Sequence, residues 1–150
     1  MPKFKFRLAT LLRLRESTRD ERRQQLAQAH EADRRLQIEE EEVAGQLAAL
    51  YADARRTAGP GEVNVDLLLD AQRFEFVLKA QRQQLARQRE LVRGEIERRR
   101  QALVEANREV QALEKLRDRL AERHREEENR RDLRRLDEAA QMRALAEEAP

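Results

Sequence analysis

The chain has 150 residues, of which 41% are charged and only 3% aromatic, with no Cys and no Trp. That excludes disulfides, thiolate metal centres and a Cys nucleophile, and it falls short of the apolar bulk a globular core of this length normally carries. The 32 basic and 30 acidic side chains nearly cancel and are interspersed, which suits solvated helix faces; with no stacking aromatics set among the cations, nucleic-acid binding is not expected.

High charge with few aromatics leaves two classes, a disordered chain or long helices with a narrow apolar seam. No window approaches the roughly 18 consecutive apolar residues of a membrane span, so no direct membrane insertion is expected. The opening MPKFKFRLATLLRLRES is basic and partly apolar, but Arg7, Arg13 and Arg15 interrupt any signal-like core. These features describe a soluble, intracellular chain.

In chain order, the first predicted element is a helix over about 4–57. Lys5 to Arg56 holds no Pro and one Gly, Gly45, and is rich in Ala, Leu, Glu, Gln and Arg, the strongest helix formers. A 3-4 spacing runs through Leu8, Leu12, Leu26, Ala29, Leu36, Val43, Leu47, Leu50 and Ala54, with Arg15, Arg19, Arg22, Asp33 and Glu40 in the same frame. A turn over about 58–64 follows, where TAGPGEVNVD holds Pro60 with Gly59 and Gly61. The second predicted helix covers about 65–147, capped by Asn64 or Asp66. Its seam runs Ala71, Leu78, Leu85, Val92, Ile96, Leu103, Ala106, Val110, Leu113 and Leu120, interrupted by Glu75, Arg82, Arg89, Arg99 and Arg117. The fold class is therefore all-α, a long antiparallel two-helix coiled-coil hairpin.

Folding the chain back supplies a register. Pairing Leu50 with Ala71, Val43 with Leu78, Leu36 with Leu85, Ala29 with Val92 and Leu8 with Leu113 puts the midpoint of every pair at Pro60–Gly61, where Gly and Pro independently place the turn. In that register Glu40 faces Arg82 and Asp33 faces Arg89, charged seam residues that fix alignment when paired. Arg22 and Arg99 face each other, and their long stems are expected to carry both guanidiniums outward. The arms are unequal: the chain reads as one coiled-coil hairpin over 1–150, with 118–150 as a C-terminal overhang.

Signals for chemistry are weak. His30 and His124 do not face each other in the register, and Glu39 to Glu42 wrap around a helix as a solvated face. GPGE lacks the Gly-Lys-Ser/Thr of a phosphate loop. A two-helix hairpin is expected to offer no concave pocket, so neither catalytic nor metal residues nor a cofactor are expected. Binding is the better reading. Tyr51, Phe74 and Phe76 cluster toward the turn, plugging the coiled coil as it widens, forming an exposed protein contact, or both, with Phe74 inward and Tyr51 partly outward. Phe4 and Phe6 either anchor the N-terminus near Leu113 and Leu116 or join the overhang in docking to another protein, with Leu11, Leu14, Leu133, Leu136 and Leu145 as apolar contacts.

The opening FKFRLATLLRLRE, the segment from Tyr51 through the turn to Phe74, EVQALEKLRDR and the ending RRLDEAAQMRA together resemble the FliJ family of bacterial flagellar export proteins over most of the chain. The resemblance implies an antiparallel coiled coil similar to the central stalk of rotary ATPases. It implies a non-enzymatic part of the flagellar type III export apparatus, and so a role in flagellum biogenesis, motility and chemotaxis. Its implied partners are the hexameric flagellar export ATPase, the cytoplasmic domain of the export gate, and chaperones of filament-type substrates, which it would escort and help recycle. The implied location is cytoplasmic, peripheral at the inner face of the inner membrane. By the same resemblance the ATPase-binding termini are Phe4, Phe6, Leu11, Leu14, Leu133 and Leu136, and the gate-binding patch is Tyr51, Phe74, Leu78 and Leu47. Leu47 stands where the family can carry an aromatic, and Glu40, Ala44, Gln81 and Leu85 depart from its pattern. The equivalent stalk protein of a virulence-type secretion system and a generic dimerising coiled-coil scaffold are the rival readings.

Overall fold

The computed structural model describes residues 2–58, 61 and 64–149, and shows two helices, α1 (Ala9–Thr57) and α2 (Val65–Glu148), with no strand among the described residues. The fold is an all-α helical hairpin. Most of the expected turn, Gly59, Pro60, Glu62 and Val63, lies outside the described residues.

Local chemistry sets the helix ends. Asn64 is the N-cap of α2: its Oδ1 accepts from the backbone N–H of Asp66 at 3.1 Å and of Leu67 at 3.5 Å. Asp66 sits in the first turn, where its charge complements the helix dipole instead of capping. At the end of α1, Arg55 and Arg56 place positive charge on the last turn, and the Thr57 hydroxyl donates to the carbonyl of Asp53 at 3.0 Å.

The start of α1 corrects the expectation. The helix begins at Ala9, not near residue 4, and its first turns are closed by Ala9 N–H to the Phe6 carbonyl and Leu12 N–H to the Leu8 carbonyl. The reason lies in FKFR. Phe4 and Phe6 are both half-buried while Lys5 and Arg7 are exposed, a period-two alternation of an extended strap. On a helix, residues two apart point about 200° from each other, and the two rings could not both be covered.

The chain forms two compact units, Glu21–Val104 and Met1–Asp20 with Glu105–Pro150. In the first, Val43, Leu47, Leu78 and Leu85 make the buried core, with Leu36 and Leu50 packed against it. These are seam positions of the expected register, and they bring the two helices together antiparallel. In the second unit Leu12, Ala106 and Val110 are buried, and Arg15 reaches Glu109 across the seam at 3.0 Å. Gly45 and Gly94 lie inside helices with nothing within 4 Å of where a Cβ would stand, so neither serves a close approach.

Charged seam residues refine the register. Arg89 bonds Asp33 at 3.0 Å as expected, but its other arm takes Glu40 at 2.8 Å. Glu40 therefore does not pair with Arg82, which is exposed and without an ion pair among the described residues. One half-buried guanidinium holds two carboxylates seven residues apart because its planar fork presents donors in two directions. The two acidic partners hold the Arg89 guanidinium well above its usual range, Asp33 contributing most. Arg99 also departs from expectation. It stays half-buried, donating to Glu95 at 2.8 Å and to the Gln25 backbone carbonyl at 2.6 Å, while the exposed Arg22 turns to the Gln25 side chain at 3.2 Å. Separate acceptors, not two outward stems, keep these like charges apart.

Candidate functional site

Within Glu21–Val104, the turn-side end carries the residues singled out as a patch. Leu47 and Leu78 are 5% and 2% exposed and belong to the core. Tyr51 and Phe74 are 40% and 48% exposed, so Phe74 is not the inward plug. The Tyr51 hydroxyl donates to Glu75 at 2.8 Å, and the Lys79 ammonium donates to the same oxygen at 2.8 Å. Glu75 lies about 100° around α2 from Phe74. Tyr51 therefore lies on the Glu75 side of the Leu78 line and Phe74 on the other. The structure brings Leu47 and Leu78 together, and sets the two exposed aromatics on either flank of that layer instead of in one continuous face.

The electrostatics follow from the shared oxygen. Lys79 first, and then Tyr51, hold the Glu75 carboxyl below its usual range. The same carboxylate raises the Tyr51 phenol above 10.0, by its hydrogen bond first, and raises the Lys79 ammonium. Sequence reading treated Glu75 as a polar interruption of the seam. The i,i+4 spacing of Glu75 and Lys79 was the available signal; the reach of Tyr51 from the other helix was not.

Nearer the turn the expectation of no concavity is corrected. An open groove of about 410 Å³ lies between the helices, its apolar wall formed by Leu50, Ala54, Leu67, Leu68 and Ala71. Small Ala side chains, with Ala58 beside them, leave the space unfilled. Asp53 is the single titratable group in the lining among the described residues. Among the described residues no three His, Asp or Glu side chains are placed to hold a metal ion.

The unit containing both termini builds a second surface. The Phe4 ring lies 5.8 Å from the His124 ring at a tilt of 57°. Phe4, Phe6 and Leu8 face Leu120 and His124 around an open groove of about 750 Å³. The N-terminal anchor thus lies further along α2 than Leu113 and Leu116. Leu120, Ala121, His124, Glu128 and Asp132 are half-buried, whereas every described residue from Leu133 onward is exposed. Leu14, Leu133 and Leu136 are well exposed, and Leu11 is half-buried.

The profile of the family described as Flagellar FliJ protein matches residues 4–149. The chain belongs to the FliJ family. It is accordingly a flagellar protein and a component of the export apparatus, in a family whose part in that apparatus is non-catalytic. No curated protein and no solved structure gives a match. No helix among the described residues is long and apolar enough to cross a membrane.

Proposed function

We propose that this FliJ-family chain is a stalk-like coiled coil that binds the hexameric flagellar export ATPase through its termini and promotes the assembly or activity of that ring. The supporting observation is the last part of α2. It stays helical to Glu148 while Leu133, Leu136, Met142 and Leu145 are all more than half exposed. Exposed leucines repeated along a helix are what a partner groove receives. Phe4 and Phe6, by holding the N-terminal strap on α2, position that surface more than they extend it.

At the turn-side end the proposed gate contact uses Tyr51 and Phe74, the exposed members of the patch. Leu47 and Leu78 hold those aromatics in place from beneath. The contact with filament-type chaperones, and a cytoplasmic station peripheral to the inner membrane, belong to the same proposal and rest on family membership. ATP hydrolysis by the cognate export ATPase, titrated with the full chain and with a chain ending at Asp132, tests the reading. That cut keeps Leu120, His124 and Glu128 under the strap, so the shortened chain differs in its exposed turns. Stimulation by the full chain alone supports the proposal; equal stimulation by both, or by neither, removes it.

A further inference from the structure

On α2 a second apolar row lies outside everything assigned so far. Val65, Leu69 and Phe76 are 64%, 46% and 76% exposed. At about 100° per residue they fall within roughly 40° of one another and on the side opposite the buried Leu78, away from α1. Gln72 completes the spacing between Leu69 and Phe76. This is the 4-3-4 rhythm of a coiled-coil seam, facing outward on a helix whose inward seam is already occupied. A Phe and two aliphatic side chains aligned in water at one end of a highly charged chain call for a partner.

We propose that this face pairs with the same face of a second copy of the chain, antiparallel and related by a two-fold axis. The row is complementary to itself in that orientation. Val65 meets Phe76 of the second copy, Leu69 meets Gln72, and the two-fold repeats each contact, as an isologous interface requires. The charges decide the direction. Asp66 and Arg73 are seven residues apart on the same flank of the row. Antiparallel pairing sets Asp66 beside Arg73 of the second copy twice, whereas in-register parallel pairing turns this flank of the two copies to opposite sides of the seam, where neither attraction can form. Arg73 is mostly exposed and its contact with Asp70 is long, 3.9 Å, so its guanidinium is available. Only about three or four helical turns take part, which places the interface below the standard size and makes the dimer weak and concentration-dependent.

Sedimentation equilibrium of the full chain, from low micromolar to near-millimolar concentration, reads the proposal directly. The expected result is a reversible monomer–dimer equilibrium that Phe76→Glu abolishes with helicity unchanged by circular dichroism. Asp66→Arg alone should weaken the dimer by roughly tenfold, two exposed attractive pairs becoming repulsive. Asp66→Arg combined with Arg73→Asp should restore it, because the reversed pair has the same complementarity. A monomer throughout the range overturns the proposal and leaves the row to a different protein. A dimer indifferent to Phe76→Glu overturns it by locating self-association elsewhere, and failure of the double reversal to restore pairing overturns the antiparallel register.

Discussion

The Tyr51 hydroxyl of α1 is bonded at 2.8 Å to the Glu75 carboxylate of α2, which also holds Lys79. Tyr51 is the chain's single Tyr and there is no Trp, so phenolate absorbance titrates this one contact. The titration midpoint is expected above 10.0, and Glu75→Gln is expected to lower it. The sign for stability follows. Tyr51 and Lys79 have folded values raised above their unfolded ones, so their contribution is complete below about pH 10 and fades as pH rises through the folded values. Glu75 is lowered, so its contribution is present above 4.5 and is lost as pH falls through its folded value. Stability measured against pH should decline at both ends, and the alkaline decline should shrink in Glu75→Gln.

Arg89 is the one cation bonded to both Asp33 and Glu40, all three half-buried. Replacing it with Met leaves two half-buried carboxylates of α1 beside the apolar seam without their cation, and thermal unfolding should move to lower temperature. The same change at the exposed Arg82 should do little. Adding Asp33→Asn and Glu40→Gln to Arg89→Met should recover most of the loss. Melting curves of the native chain and the three variants check this, and equal effects of Arg82→Met and Arg89→Met would contradict the shared-guanidinium arrangement.

Core and surface roles near the turn separate by truncation. Leu78→Ala removes a fully buried side chain and should cost about 2–4 kcal/mol in denaturant unfolding. Phe76→Ala, on the outer face, should stay within about 0.5 kcal/mol. Tyr51→Ala with Phe74→Ala should fall between them while reducing binding to the cytoplasmic domain of the export gate. Retained gate binding in that double variant would remove the gate contact from these residues.

Gly94 lies inside α2 with open space where a Cβ would stand. Gly94→Ala should stabilise the protein by about 0.5–1 kcal/mol, because Ala loses less backbone freedom in a helix and meets nothing. Chemical denaturation gives the sign, and destabilisation would place an unseen contact at this position.

The hairpin was legible because its signals reinforce one another. Helix formers without Pro on both flanks, a 3-4 apolar spacing, and a single register whose midpoint coincides with Pro60–Gly61 all select the same pairing, and Val43, Leu47, Leu78 and Leu85 are indeed its core. What escaped was finer than a heptad. Register arithmetic pairs one residue with one residue, so it could not foresee Arg89 serving Asp33 and Glu40 together, or Arg99 choosing a backbone carbonyl. Counting FKFR into the helix missed that its alternation is a strand-like period. The aromatic patch suffered from treating proximity along the axis as a shared face: Leu47 and Leu78 lie inward, and Tyr51 and Phe74 flank them.

Binding of the cognate export ATPase to the full chain, compared with Leu133→Gln/Leu136→Gln, tests the central claim most directly. Both leucines are exposed, and Gln preserves helix propensity, so circular dichroism and melting should not change. The account predicts tight association of the native chain and its loss in the double variant. Undiminished binding by that variant, or no binding by the native chain, would contradict it.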